Sequence, residues 1–451
     1  MKKFVATFLI VCLSLSLLGM ATASGNTDEK TDVEKQVSEY VEQWFLNNFS
    51  EHYDLSDYVG KINNFKLEDG SVYAEISAGA ITTLKYDNVE SLPYMEGIKD
   101  DLNIDSLAEV VPAEYVSDLS KTAATELQKS VAYAKALDTK EAFSCLSLDK
   151  DKKSSILTRE MAASNIINNI DTSITEVQAK NLSMLIADKY VDAAECIGVG
   201  TVLTMDLIFE ASYEKGEFSQ ISLVETHDED TTEEASLLIP LSADEMVVQA
   251  ATDINNYLNS EASQTSNVGT KGLSTYDRVD ARDYAWEHTY PGYGVNTYNP
   301  NLDGWTAQYD CGHNLNPPVY VDRDYWNDDD YSIDTCLAWG HCHNDCACFV
   351  SQCLVEGGIP MSDDWEYPTD GDPTYDWHNT GGLKTYMTDE GYWDESTYSA
   401  CNAGNVVYTS SGHVTLCTLN DTVTRRYTAH TNDRNNKIYY SVYECFTINT
   451  D

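Results

Sequence analysis

Positive charge is what this chain most lacks. Only 28 Lys and Arg stand against 74 Asp and Glu, a formal net charge of -46 over 451 residues. A surface of that sign repels phosphate backbones and anionic lipid, which argues against nucleic-acid partners and against electrostatic adhesion to membranes. It also argues against simple charge attraction to an anionic cell wall, so wall binding would need specific contacts or bridging cations. Long apolar runs are missing too: past the N-terminus no stretch approaches transmembrane length, and no membrane insertion is expected. The one apolar run, residues 4–18, follows Met1-Lys2-Lys3 and precedes the small residues Ala21-Thr22-Ala23. That is the pattern of a secretory signal peptide over residues 1–23. No cysteine stands at that cleavage point, which argues against a lipoprotein anchor; Cys12 lies inside the apolar run. The expected location is secreted, with cell-wall association through a partner allowed. No internal repeat is evident, and nothing between Gly25 and Ala250 has catalytic spacing.

What is present begins with cysteine. Of 12 cysteines, Cys12 belongs to the leader, and most of the other 11 lie in the last third of the chain. An odd number in an exported protein suggests one unpaired thiol among disulfides or buried, reduced cysteines.

Residues 25–250 read as an α+β region, one unit or two. A helix is expected over 32–49 from the stripe Val33, Val37, Tyr40, Val41 and Trp44. A hairpin follows through Asp69-Gly70, with a third strand at 81–86. The order recurs as a helix over 174–190 and strands over 202–213 and 218–226 around Lys215-Gly216, with another helix expected over 119–137. The region suits a prosegment, a targeting module or a spacer. Residues 256–274, rich in Asn, Ser, Thr and Gly without an apolar period, read as a linker. A second α+β domain then occupies residues 275–451. Its acidic cluster (Asp322, Asp324, Asp328, Asp329, Asp330, Asp334) lacks the spacing of a helix-loop-helix calcium site and reads as a solvated loop.

The chemistry centres on the stretch from His343 to Gly358. Cys346, Val350, Cys353 and Leu354 fall on one face of a helix, with Asn344 or Asp345 able to cap it and Gly357-Gly358 able to end it. A thiol in the first turn of a helix sits in the positive end of its field, which favours the nucleophilic thiolate. Asp345 opposes that unless it is turned toward a cap. Downstream, His413 opens a strand and His430 ends the next, with Asn432 and Asp433 just beyond. Cysteine on a helix, histidine on a strand and a polar group on the next strand is the order that Cys–His catalysis needs, the third group fixing the imidazole tautomer. A competing reading takes Cys336, His341, Cys342, His343, Cys346 and Cys348 as soft zinc ligands, but they lack paired Cys-x-x-Cys knuckles, and no metal or cofactor is expected.

The block Asp345-Cys346, Phe349-Val350-Ser351-Gln352-Cys353-Leu354, Gly357-Gly358, Pro360-Met361 resembles the signature of the bacterial amidase domain family, a papain-like group related to NlpC-type and CHAP-type cell-wall hydrolases. Tyr276-Asp277-Arg278, Tyr284-Ala285, Trp377-His378-Asn379 and Gly412-His413-Val414 are similar to that family as well. The resemblance covers about residues 275–451. It implies a papain-like α+β fold, hydrolysis of an amide with Cys346 as nucleophile and His413 as base, and peptidoglycan peptides or amides as substrate. His430 is the third catalytic candidate and Asn432 its alternative; Trp365 and Trp377 are the candidate substrate-binding side chains. Other readings are a protein-directed cysteine peptidase and an inactive papain-like module that grips wall peptides. Two features depart from the family pattern: Cys348 stands where asparagine is usual, and residues 290–344 are long and cysteine-rich.

Overall fold

The computed structural model describes residues 27–112, 157–170, 173–228, 231–259, 276–287, 305–307, 320–322, 346–366, 374–396, 401–410, 412–429, 434–438 and 444–449. The expected signal peptide and the helix expected at 119–137 lie outside them.

The fold is α+β. Helix α1 (Thr27–Phe49) buries Val33, Val37, Val41, Phe45 and Phe49, a strict every-fourth-residue stripe, and lies along strand β1. Strands β1 (Tyr53–Glu68) and β2 (Ser71–Leu84) form the expected hairpin, with Asp69 and Gly70 both at positive φ as a two-residue turn of that hand requires. The separate strand expected at 81–86 is instead the end of β2, because pairing with the next strand carries β2 unbroken from Ser71 to Thr83. Helices α2 (Pro93–Leu102), α3 (Arg159–Asn169) and α4 (Glu176–Cys196) follow, the last opened by a capping box between Thr175 and Gln178. Strands β3 (Gly200–Glu214), β4 (Glu217–Asp228) and β5 (Thr231–Glu234) continue the sheet. Because β2 and β3 pair along their length, the two helix-and-hairpin stretches share one sheet and one core: a single unit, not two. Helix α5 (Ala243–Asn259) then packs on α2. It runs four residues into the segment read as linker, because Tyr257 and Leu258 extend its buried face.

Beyond it come α6 (Arg278–Glu287), the short paired strands β6 (Trp305–Ala307) and β7 (Tyr320–Asp322), α7 (Cys346–Glu356), α8 (Tyr375–His378) and α9 (Thr380–Asp389). Strands β8 (Trp393–Ser396), β9 (Val406–Ser410), β10 (His413–Asn420), β11 (Arg425–Ala429), β12 (Arg434–Ile438) and β13 (Glu444–Ile448) complete the chain's described elements. β12 lies beside β11, whereas β13 crosses to the far side of β9.

One sheet of 11 strands joins the two halves, in the order β1-β2-β3-β12-β11-β10-β9-β13-β8, with β4 and β5 branching from β3. Its pairs are antiparallel except at the seam, where β12 meets β3 in parallel at Lys437 and Thr204. Buried ion pairs surround that seam. Lys437 Nζ donates to Asp206 Oδ2 at 2.5 Å and to Glu225 Oε1 at 3.3 Å. Arg278 bonds Asp192, and Arg282 bonds Glu195. Arg426, wholly buried, donates to Thr201 Oγ1 (2.9 Å), the Val202 carbonyl (2.7 Å) and Thr82 Oγ1 (3.0 Å), and lies 3.5 Å from Asp421. Asp421 in turn accepts the Tyr53 hydroxyl at 2.7 Å. Each of these cations belongs to the C-terminal half and meets groups of the N-terminal half. A buried charge stripped of its partner is costly, so the halves are energetically one body.

Candidate active site

Cys346 is the first residue of α7, where a backbone N–H has no acceptor within the helix. The helix is buried nearly all round, from Cys346 through Leu354 apart from Gln352, because α6 and α8 and the β9–β10 face of the sheet pack against it. Its end follows the expected pattern: Gly358 takes a positive φ of 104° and Ile359 N–H returns to the Leu354 carbonyl at 3.0 Å. Gly357 is also required, since a Cβ there would lie 2.4 Å from the Tyr276 ring.

The sheet residues below α7 alternate by face. Val406, Tyr408, Val414, Leu416 and Phe446 join Cys346 and Phe349 in one core, while Val407, Cys417, Tyr427 and Cys445 form another on the opposite face. His413 opens β10 and is half-buried. A bulge lies between His413 and Val414, so strict alternation, which would group His413 with Thr415 and Cys417, breaks at this residue. The Cys346 thiol lies 4.0 Å from the carbonyl of Gly412, the residue before His413. Helix start and strand start therefore meet, with Cys346 5 % exposed, the most accessible of the described cysteines.

Tyr408 is a residue that the motif order did not single out. It is buried, its hydroxyl donates to the Thr380 carbonyl at 2.8 Å, and its phenol is pushed far up by burial and then by the neighbouring Cys346 and Glu444. Alternation along β9 could have found it, because Val406 and Tyr408 share the inward face.

Cys348 faces away from this chemistry. Its sulfur accepts the Trp377 indole N–H at 3.2 Å and the Gln352 amide at 3.3 Å, and no pair of described cysteines lies at disulfide-bonding distance. The substrate-binding expectation for Trp365 and Trp377 needs correction. They are 0 % and 3 % exposed, their rings sit 5.0 Å apart, and their N–H groups are taken by Ser351 and Cys348. Apolar rings of that size with satisfied donors belong to the core. His378 and Asn379 of the same motif serve locally. The His378 ring bonds the Thr374 carbonyl, and Asn379 caps α9 by accepting from the N–H groups of Gly381 and Gly382.

His430 and Asn432 lie outside the described residues, as do Asp345 and the candidate zinc ligands Cys336, His341, Cys342 and His343, and the acidic loop beyond Asp322. Among the described residues no group of three or more His, Cys, Asp or Glu is arranged to hold a metal ion, and no helix is long and apolar enough to cross a membrane. Comparison with known proteins finds no matching family model, no matching curated protein and no matching solved structure.

Proposed function

We propose that the chain is a secreted bacterial cysteine-dependent amide hydrolase of papain-like type, acting on cell-wall peptidoglycan peptides or amides. The observation that carries this reading is the meeting of the Cys346 helix start with the strand opened by His413, thiol to Gly412 carbonyl at 4.0 Å. The amidase-like sequence around both residues supports the substrate class. In the proposed cycle the His413 imidazole takes the Cys346 proton, and the thiolate adds to the amide carbonyl. The Cys346 backbone N–H supplies one donor to the oxyanion. The imidazolium then protonates the departing amine, and water, activated by the same imidazole, releases the acyl group from sulfur. His430, or Asn432 in its place, orients the imidazole. No metal or cofactor enters this cycle.

The low exposure of Cys346 favours a second reading, an inactive papain-like module that binds wall peptides. Incubation of the full chain with purified peptidoglycan and, separately, with a protein substrate, followed by mass spectrometry of the products, separates the readings. New amine and carboxyl termini in peptidoglycan fragments support the proposal. Cleavage of the protein alone indicates a peptidase. Retention on peptidoglycan without cleavage indicates the binding module.

A further inference from the structure

On the opposite face of the sheet from Cys346, three buried cysteines share one nest. Cys401 precedes β9, Cys417 lies on β10 and Cys445 on β13, together with Val407, Tyr427 and Ala429. The Cys401 thiol is in hydrogen-bond contact with both Cys417 and Cys445. The other two are kept apart by the sheet itself. β10 and β13 flank β9, with Cys445 opposite Val407 and the Cys417 N–H bonded to the Asn405 carbonyl. Two strand spacings place their Cα atoms roughly 9 Å or more apart, beyond the roughly 7 Å that a disulfide can bridge.

The surroundings make this nest more than a packing detail. Residues Cys401 to Asn405 form a buried turn that several elements grip. The Ala403 N–H donates to Asp192 Oδ2 at 2.8 Å, the Tyr276 hydroxyl to the Gly404 carbonyl at 2.6 Å, and the Asn420 amide to the Cys401 carbonyl at 2.9 Å. Lys189 of α4 is close by, with its Nζ buried and without a hydrogen-bond partner. Burial, and secondarily Arg425, lowers its amine to about 7, while the charges of Asp253, Asp192 and a Cys401 thiolate oppose that. Burial raises the Cys401 thiol well above its ordinary value, with Arg425 opposing the rise.

We propose that Cys401 is the obligatory partner in a single disulfide of this nest, formed with either Cys417 or Cys445, so that the oxidised nest holds one disulfide and one thiol. The bond would tether the turn that docks α4 and α6 onto the sheet, independently of the reaction proposed at Cys346. A low-molecular-weight disulfide such as oxidised glutathione is the oxidant. The Cys401 thiolate attacks it and releases one glutathione thiolate. The thiolate of Cys417 or Cys445 then attacks the Cys401 sulfur of the mixed disulfide and releases the second. Two protein thiols are oxidised, one glutathione disulfide is reduced to two thiols, and the two protons pass to glutathione. All three side chains are buried, so the exchange belongs to folding, before the nest closes.

The test is refolding of the full chain from the reduced, unfolded state in a buffer of reduced and oxidised glutathione. Alkylation under denaturing conditions without reduction and peptide mapping follow. The expected linked peptides join Cys401 to Cys417, or Cys401 to Cys445, with the third cysteine alkylated. A Cys417–Cys445 link, a Cys401 link to any cysteine outside the nest, or alkylation of all three in the folded fraction would overturn the proposal. In Cys401→Ser both remaining thiols should be recovered alkylated, whereas Cys417→Ser should retain the Cys401–Cys445 bond. The wild-type map decides the matter even where a variant does not fold.

Discussion

Replacing Arg426 by alanine tests how tightly the two halves are bound to each other. The guanidinium is wholly buried, and its partners would lose it at once: Thr201 Oγ1, the Val202 carbonyl and Thr82 Oγ1 from the N-terminal half, Asp421 and Thr424 from its own. Asp421 would retain the Tyr53 hydroxyl and the N–H groups of Val423 and Thr424, at 2.7, 3.0 and 2.7 Å, but would lose its buried cation. Removing one member of a buried ion pair typically costs about 3–5 kcal/mol. The remaining bonds to Asp421 favour the lower half of that range, so about 3–4 kcal/mol is expected. With a denaturant slope of roughly 3 kcal/mol per molar urea, the unfolding midpoint should fall by about 1 M. The assay is urea unfolding followed by tryptophan fluorescence, which reports the C-terminal core through Trp365, Trp377 and Trp393. Lys35→Ala, which removes an exposed i,i+4 pair with Glu39, is the control and should leave the midpoint unchanged. An Arg426→Ala midpoint equal to that of wild type would refute the claim that this seam binds the halves. In the double variant with Asp421→Ala, the loss should be smaller than the sum of the single losses, by about 1–3 kcal/mol.

Further outcomes follow from single sites. Glu225, buried beside Lys437 and Asp206, is raised from 4.5 to about 7, chiefly by burial. A carboxyl whose folded value lies above its unfolded one holds its proton more tightly when folded. Stability should therefore fall as pH rises from about 5 to 7, by up to about 3 kcal/mol, and Glu225→Gln should flatten that fall in urea unfolding at the two pH values; parallel profiles would contradict it. Lys189, lowered to about 7 chiefly by burial, acts in the opposite window. Its amine is neutral and cheaply buried well above pH 7, so stability should rise from pH 7 to 10, and Lys189→Met should remove that rise. Gly404 has φ +84°, and an added Cβ would lie 2.5 Å from the Arg278 Cβ and 2.6 Å from its carbonyl oxygen. Gly404→Ala should therefore lower thermal stability by about 2 kcal/mol or more, as backbone strain and overpacking combine. Trp377→Phe, which strips the N–H from Cys348, should destabilise the fold while leaving KM for any substrate unchanged.

Local patterns were legible in the sequence to the extent that they rest on neighbours in the chain. The helix α1, the Asp69-Gly70 and Lys215-Gly216 turns, and the helix from Cys346 to its Gly357-Gly358 end are all decided within a few residues and form as read, although the buried stripe of α1 continues from Val33, Val37 and Val41 through Phe45 and Phe49, leaving Tyr40 36 % exposed and Trp44 half-buried. What depends on distant pairing was not legible. Nothing near residue 81 announces that β2 continues, because its partner is β3, more than a hundred residues away. Nor does the sequence near Arg426, Lys437 or Arg282 reveal that their carboxylates and carbonyls come from the N-terminal half. A region that read as a prosegment, targeting module or spacer contributes strands to the same sheet as the Cys346 domain. At the site, the order Cys346 then His413 was readable, but the bulge at His413 and the packing of Tyr408 beside the thiol depend on the sheet. Trp365 and Trp377 misled because tryptophan is as common in packed cores as at binding surfaces, and burial alone separates the two uses.

In the proposed cycle Cys346 is a nucleophile served by His413. Brief iodoacetamide treatment of the folded, unreduced chain near neutral pH, with peptide mapping, should be set beside peptidoglycan hydrolysis by wild type, Cys346→Ala and His413→Ala. Cys346 should be the first thiol alkylated, and alkylation should abolish hydrolysis in step with its extent. Cys346→Ala should be inactive with a melting temperature close to wild type, and His413→Ala should be inactive and slow to alkylate at Cys346. Hydrolysis that survives in Cys346→Ala, or an alkylation rate at Cys346 that His413→Ala leaves untouched, would contradict that cycle.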